Sequence, residues 1–367
     1  MARRSWQGRS EGACLWHVTE RGRRHGRRDA GWAGRNCERS YNLTAHILAP
    51  VTASLPADVQ AVFDRFITTE LTTVDRAGQP ITWPVTPYYG PGDPCIDFTT
   101  GLGYPKKAND AQANPLVALL FSDPTGSGLA NPPTVLVQGS ADVDDRDLDA
   151  NRDRYARESA AKLPALSRRQ PPDPVKRFLS WYYTRIYVHV RPERIYVWHS
   201  PDAEPELYDT HMEEVRSGHS EEPDRFHADP EGGATSWHPR LNELGTTYPT
   251  AVLSIVCPDG FPFAMRVRAR AHEADRMIRI DDPPEGAPLQ PGLACLTAHS
   301  HEERLTSMQN FQVRGDLVLR EGCWELIPRK LIGGLEAPAS RLALVRANAG
   351  KAIRFHSTAK RELARRR

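Results

Sequence analysis

Thr99, Thr100, Gly101, Gly103, Lys106 and Lys107 fall within nine residues of the run FTTGLGYPKKANDAQANPLVALLF, Phe98 to Phe121. Threonine hydroxyls and the backbone N–H groups of a glycine turn donate hydrogen bonds, and lysine ammonium groups supply positive charge. A helix starting near Lys106 would aim its first N–H groups the same way. Glycine lets the backbone approach a ligand closely. This donor set suits an anion, most naturally a phosphate. The same spacing also suits a solvated turn carrying two surface lysines.

The elements that hold this run are readable on both sides of it. LPADVQAVFDRF (Leu55–Phe66) has the apolar period of a short helix. ELTTVDRAGQPITWPVTPYY alternates about Asp75–Gly78 and predicts a hairpin. CIDFTT predicts a third strand, Lys106 to Ala113 a short helix ended by Asn114-Pro115, and LVALLFSD and TVLVQGSADV two more strands. A charged helix is expected over Asp144–Lys162, and another ending over Phe178–Tyr183. RIYVHVRPERIYVW reads as a hairpin turning at Arg191-Pro192-Glu193. Many strands with short helices between them predict a small closed barrel.

Parts of this pattern recur. LTTVDRAGQP (71–80) aligns with LSIVCPDGFP (253–262) at an offset of 182, and NPLVALLFS (114–122) with QPGLACLTA (290–298) at 176. VLVQGSADV (135–143) aligns with FQVRGDLVL (311–319), again at 176. The expected fold is therefore mainly β with short helices, as two tandem barrels. Where the first half carries Thr99–Lys107, the second has IRIDDPPEGAPL (278–289), with no lysine and no threonine pair.

The first half resembles the pyridoxamine 5′-phosphate oxidase-like superfamily of FMN-binding split β-barrels. The resemblance rests on FTTGLGYPKKANDAQANPLVALLF and the hairpin GQPITWPVTPYY. It covers about residues 57–200 clearly and 240–332 faintly. It implies a phosphate cradle of Thr99, Thr100, Tyr104 and Lys106 with Lys107 beside it, and a flavin-ring wall of Trp83, Pro84, Val85 and Thr86. The family's arginines are replaced by Trp83 and Pro105, its glutamine by Thr134, and its C-terminal Arg/His motif is missing, so vitamin B6 oxidation is not implied. FMN is the implied cofactor and the deazaflavin F420 the alternative. The implied activity is hydride transfer between that cofactor and a small organic substrate, done by the cofactor while the protein orients it, so no catalytic side chain is named. A non-catalytic flavin- or haem-binding protein is the other reading. Members of the family dimerise around the flavin. Two fused barrels would supply that pair as a pseudo-dimer within one chain, with one cofactor per chain; a further homodimer stays open.

Residues 1–45 carry ten arginines against four acids and read as a disordered basic tail, and residues 351–367 are likewise at +6, leaving a mildly acidic body. Such ends can meet nucleic acid, but an unstructured tail is the simpler reading. The expected organisation is a cofactor-binding barrel over 55–200, a linker over 201–240 and a second, degenerate barrel over 241–335. A C-terminal helix with a basic tail follows over 336–367. Six scattered cysteines without a C-x-x-C pair argue against a disulfide scaffold or zinc site and fit a reducing, cytoplasmic setting. HSHEE (299–303) offers metal-type ligands but sits in an expected loop, and no metal is assigned. Trp181, Tyr182, Tyr183, Tyr187, Tyr196 and Trp198 form an aromatic band expected to pack a helix onto a barrel.

Overall fold

The computed structural model describes residues 55–164, 179–209, 237–305, 308–334 and 341–366. The N-terminal basic stretch, Phe178 and most of the 201–240 linker lie outside the described residues.

The chain begins with helix α1 (Ala57–Arg65), which buries Val59, Val62 and Phe63. The hairpin β1 (Thr69–Val74) and β2 (Pro80–Val85) follows. The Asp75 carboxylate accepts from the N–H groups of Ala77 and Gln79, and Gly78 takes the left-handed φ of +75° that the turn needs. After it come β3 (Ile96–Gly101), α2 (Lys106–Ala113), β4 (Leu116–Phe121) and β5 (Thr134–Asp144). Helices α3 (Leu148–Lys162) and α4 (Ser180–Tyr183) lead to the long strand β6 (Arg185–Trp198) and the short β7 (Glu206–Asp209). The second half contains β8 (Ala251–Val256), β9 (Pro262–His272), β10 (Met277–Asp281), β11 (Gly292–His301), β12 (Met308–Arg320) and β13 (Cys323–Gly333). Helix α5 (Arg341–Arg366) ends the described chain, so the basic end is helical.

Both halves have one strand order. The first sheet runs β2-β1-β4-β5-β6-β3, with β7 added to β6; the second runs β9-β8-β11-β12-β13-β10. The second sheet closes through β9–β10 pairing. The first does not: between β2 and β3 only the bridge Tyr88–Asp97 is made. The first half is thus the expected split barrel, and the second is a barrel closed by β9–β10 pairing.

The repeat holds residue by residue. The offset of 182 carries β1 onto β8, and 176 carries Leu116 of β4 onto Gly292 of β11. It also carries the bulge at Gln138/Gly139 onto the bulge at Arg314/Gly315. At each bulge a proline stands opposite, Pro192 and Pro328. A Cβ on Gly139 would overlap the Arg191 carbonyl oxygen, and one on Gly315 that of Ile327.

This geometry corrects the reading of 185–198. Arg191-Pro192-Glu193 is not a turn. It is the bulge of one continuous strand, a place in a sheet where proline is accommodated. Two smaller corrections follow. Asp144 belongs to β5, and the helix starts at Leu148 because the Asp147 carboxylate caps the N–H groups of Asp149 and Ala150. Residues 206–209, within the expected linker, pair with the edge of β6.

β4 reads as a continuous apolar run because both its faces are buried. Val117, Leu119 and Phe121 enter the first core, while Ala118 and Leu120 join the core built around the second barrel. No described helix is long and apolar enough to cross a membrane.

Candidate functional site

The two barrels meet along β1, β2 and β4 on one side and β8, β9 and β11 on the other. Thr72 and Ser254 hold equivalent places in β1 and β8, and their hydroxyls approach to 3.2 Å. Equivalent residues touch only near a symmetry axis, so a pseudo-two-fold passes between them. Thr82 of β2 is gripped from across the junction. Its hydroxyl lies 2.6 Å from that of Ser254, and its carbonyl accepts from Thr297 Oγ1 at 2.9 Å and Gln312 Nε2 at 2.6 Å. The edge strand of the split sheet is therefore held by the second barrel.

The expected ring wall lies on this strand. Trp83 and Val85 follow the alternation of Ile81 towards the first barrel, while Thr82 and Pro84 follow the opposite one. Val85 is buried in the first core, Trp83, Pro84 and Thr86 are half-buried.

The expected cradle lies across the gap, and the structure divides its members. Thr99 and Thr100 leave β3 on opposite faces, as neighbouring strand residues must. Thr100 is buried and donates to the Tyr104 carbonyl at 2.8 Å, which fixes the turn. Pro105 precedes α2 and no side chain caps that helix, so the first-turn N–H groups have no intrahelical acceptor. Lys106 is exposed and pairs with Asp110 at 2.8 Å. Burial raises the Asp110 pKa; Lys106 opposes this by hydrogen bond and charge, Asp75 adds to it and Arg314 opposes it. Lys107 turns the other way, with its ammonium 5.8 Å from the centre of the Tyr104 ring.

Arg314 of β12 is a residue that sequence reading missed. Its Nε donates to Gln312 Oε1 at 2.7 Å, and no described carboxylate pairs with it. The equivalent residue of the first barrel is Gln138, which donates to the Pro262 carbonyl at 2.9 Å. The pseudo-two-fold is thus broken at this position: the second barrel carries a cation where the first carries an amide bonded to the opposite barrel.

The HSHEE histidines are engaged in joining the barrels. His299 Nε2 lies 2.6 Å from the buried Glu70 carboxylate, and Arg266 Nη2 lies 2.7 Å from the same oxygen. His301 contacts Thr68 at 2.8 Å and Asp123 at 3.4 Å. Among the described residues no group of three metal-type ligands forms.

The aromatic band splits in two. Tyr196 and Trp198 pack on Phe263 of the second barrel. Trp181 packs on Tyr104 and on Phe355 of α5, and Tyr182 on Tyr155. Beside them, Asp97 of β3 meets His189 of β6 at 2.8 Å and Arg154 of α3 at 2.5 Å. Burial alone would raise the Asp97 pKa; the His189 hydrogen bond and charge, with Arg154, hold it below the ordinary value. Cys95 and Cys295 are buried, and burial pushes the half-buried Cys257 thiol up to about 11.

No protein-family model and no curated protein matches the chain. Among solved structures it is similar to a putative pyridoxamine 5′-phosphate oxidase from Listeria innocua, at 16% identity and TM-score 0.28, over 39% of this chain and 96% of that one. It is similar to an F420 reductase at 20% identity and TM-score 0.29, over 38% and 98%. It is also similar to the heme storage protein of Vibrio cholerae at 15% identity and TM-score 0.27, over 38% and 91%. Each of these matches about 40% of this chain and nine-tenths or more of its own length.

Proposed function

We propose that this protein is a flavin-type oxidoreductase that binds one FMN, or alternatively F420, per chain at the junction of its two barrels. The cofactor ring lies along Trp83, Pro84, Val85 and Thr86. The phosphate lies at the Thr99–Lys107 turn, with Thr100 fixing the turn, Lys106 and the α2 N-terminus supplying donors, and Arg314 facing them from the second barrel. The observation that carries this reading is the asymmetry of the repeat. Two barrels share one strand order, yet only the first is open between β2 and β3 and only it carries the lysine turn.

The residues fit a phosphate-bearing cofactor by their chemistry: an uncapped helix start, an exposed lysine in a weak i,i+4 pair, and a guanidinium with no described carboxylate. The cofactor, when bound, supplies the hydride-transfer chemistry. The chain's own part is to hold the phosphate, keep β2 fixed through Thr82 and Gln312, and wall the ring from water with the second barrel.

Titration of the full-length protein with FMN, F420 and riboflavin, followed by absorption and fluorescence, tests this. FMN or F420 is expected to bind and riboflavin, lacking the phosphate, to bind at least tenfold more weakly. Lys106→Ala should narrow that ratio; an unchanged ratio would remove the phosphate assignment. Asp110→Asn frees Lys106 and removes a negative charge from the site. It is expected to tighten FMN by about two- to fivefold, the worth of an exposed pair. Cofactor binding without any reduction by nicotinamide donors or reoxidation by electron acceptors would favour the non-catalytic alternative.

A further inference from the structure

The geometry points to a second anion site on the outer side of the same turn, built around Arg185 and Lys107 and suited to a small oxyanion such as a phosphate or carboxylate. Arg185 opens β6 beside Gly101 of β3, on the sheet face that α3 and α4 cover. It is only 5% exposed. Its guanidinium lies 4.1 Å from the centre of the Tyr155 ring and 4.2 Å from that of Tyr182. Nη1 donates to the Tyr104 hydroxyl at 2.9 Å and Nη2 to the Tyr155 hydroxyl at 2.8 Å. Nε is buried without a partner, as is the indole N–H of the neighbouring Trp181.

A buried guanidinium normally has a carboxylate beside it, because an uncompensated buried charge is costly. Among the described residues Arg185 has none. A second cation stands close by instead: Lys107 is half-buried on the Tyr104 ring, and burial together with the Arg185 charge pushes its pKa down to about 8. Two cations share the Tyr104 ring, and the buried Arg185 Nε–H is left for an anion to satisfy. Tyr182, 36% exposed, lies at the surface side of the cluster, with its ring on the guanidinium. The site differs from the proposed cofactor phosphate position, because Lys107 lies on the Tyr104 ring whose hydroxyl Arg185 binds, while Lys106 pairs with Asp110. The inference shares the turn with the cofactor reading but does not need a cofactor to bind.

Inorganic phosphate, titrated at constant ionic strength against chloride, is the probe, and thermal unfolding of the full chain is the readout. The titration is made in the Lys106→Ala background, which disfavours phosphate on the junction side. A saturable rise in Tm is expected there, with the apparent Kd weakened about tenfold or more by a further Lys107→Met change, which keeps the aliphatic stem. Arg185→Lys, keeping charge but losing the planar fork, should also weaken it. No saturable rise, or an equal rise with Lys107→Met, would overturn the site and leave Arg185 as a purely structural stack on tyrosines. Phosphate binding without FMN binding would count against the cofactor reading alone; FMN binding without this phosphate response would count against the second site alone.

Discussion

Glu70→Ala is expected to destabilise the protein by about 3–5 kcal/mol, the cost of stripping the partner from buried charges. The Glu70 side chain is 1% exposed and receives Arg266 and His299, both from the second barrel, on one oxygen, with Ser122 donating to the other at 3.0 Å. Burial alone would raise its pKa. The Arg266 charge, then the His299 hydrogen bond and charge, outweigh that and hold it below the ordinary glutamate value, with Asp123 opposing. A carboxyl whose folded pKa is lowered adds stability that is complete above its unfolded value and is lost as pH falls through the folded one. Urea midpoints should therefore fall below about pH 4.5 in the native protein, and this acid limb should flatten in Glu70→Ala. Because Glu70 ties the barrels together, the variant should also lose cofactor affinity. A variant destabilised by less than about 1 kcal/mol, with an unchanged acid limb, would show that the network does not hold the junction.

The second large effect lies at the paired bulges. Gly139→Ala and Gly315→Ala should each cost about 1–3 kcal/mol or more, because the added methyl meets a backbone carbonyl that cannot swing away. The two substitutions should behave alike, since Pro192 and Pro328 stand opposite them in the same way. Equal tolerance of alanine at both sites, measured by chemical denaturation, would mean that the bulges relax and that the repeat is looser than the backbone shows.

The architecture was legible because the repeat is written in strands. Offsets of 182 and 176, read from LSIVCPDGFP and FQVRGDLVL, predict which strands correspond, and the bulges found in the structure obey the same 176 offset. The hairpin misreading at Arg191-Pro192-Glu193 came from treating proline as punctuation. Its role there depends on Gly139, which lies fifty-three positions upstream and pairs with it across the sheet. Buried charge was not legible either. Glu70 sits in an alternating ELTT strand, and nothing local distinguishes a solvent-facing glutamate from one that meets an arginine and a histidine some two hundred residues away. The same holds for Arg314 and Arg185, whose surroundings are assembled by topology. The turn itself was visible as a cluster of donors, but strand alternation decides which way each one points. It sends the Thr100 hydroxyl into the turn, while the helix start sends Lys106 and Lys107 to different sides.

Cofactor stoichiometry tests the central claim most directly. Isothermal titration of FMN, or of F420 if that binds, into full-length protein of measured active concentration should give one cofactor per chain, with Lys106→Ala weakening that single site. Two equivalent sites per chain would contradict the account, because the closed second barrel would then have to provide a cradle that its 278–289 segment does not carry.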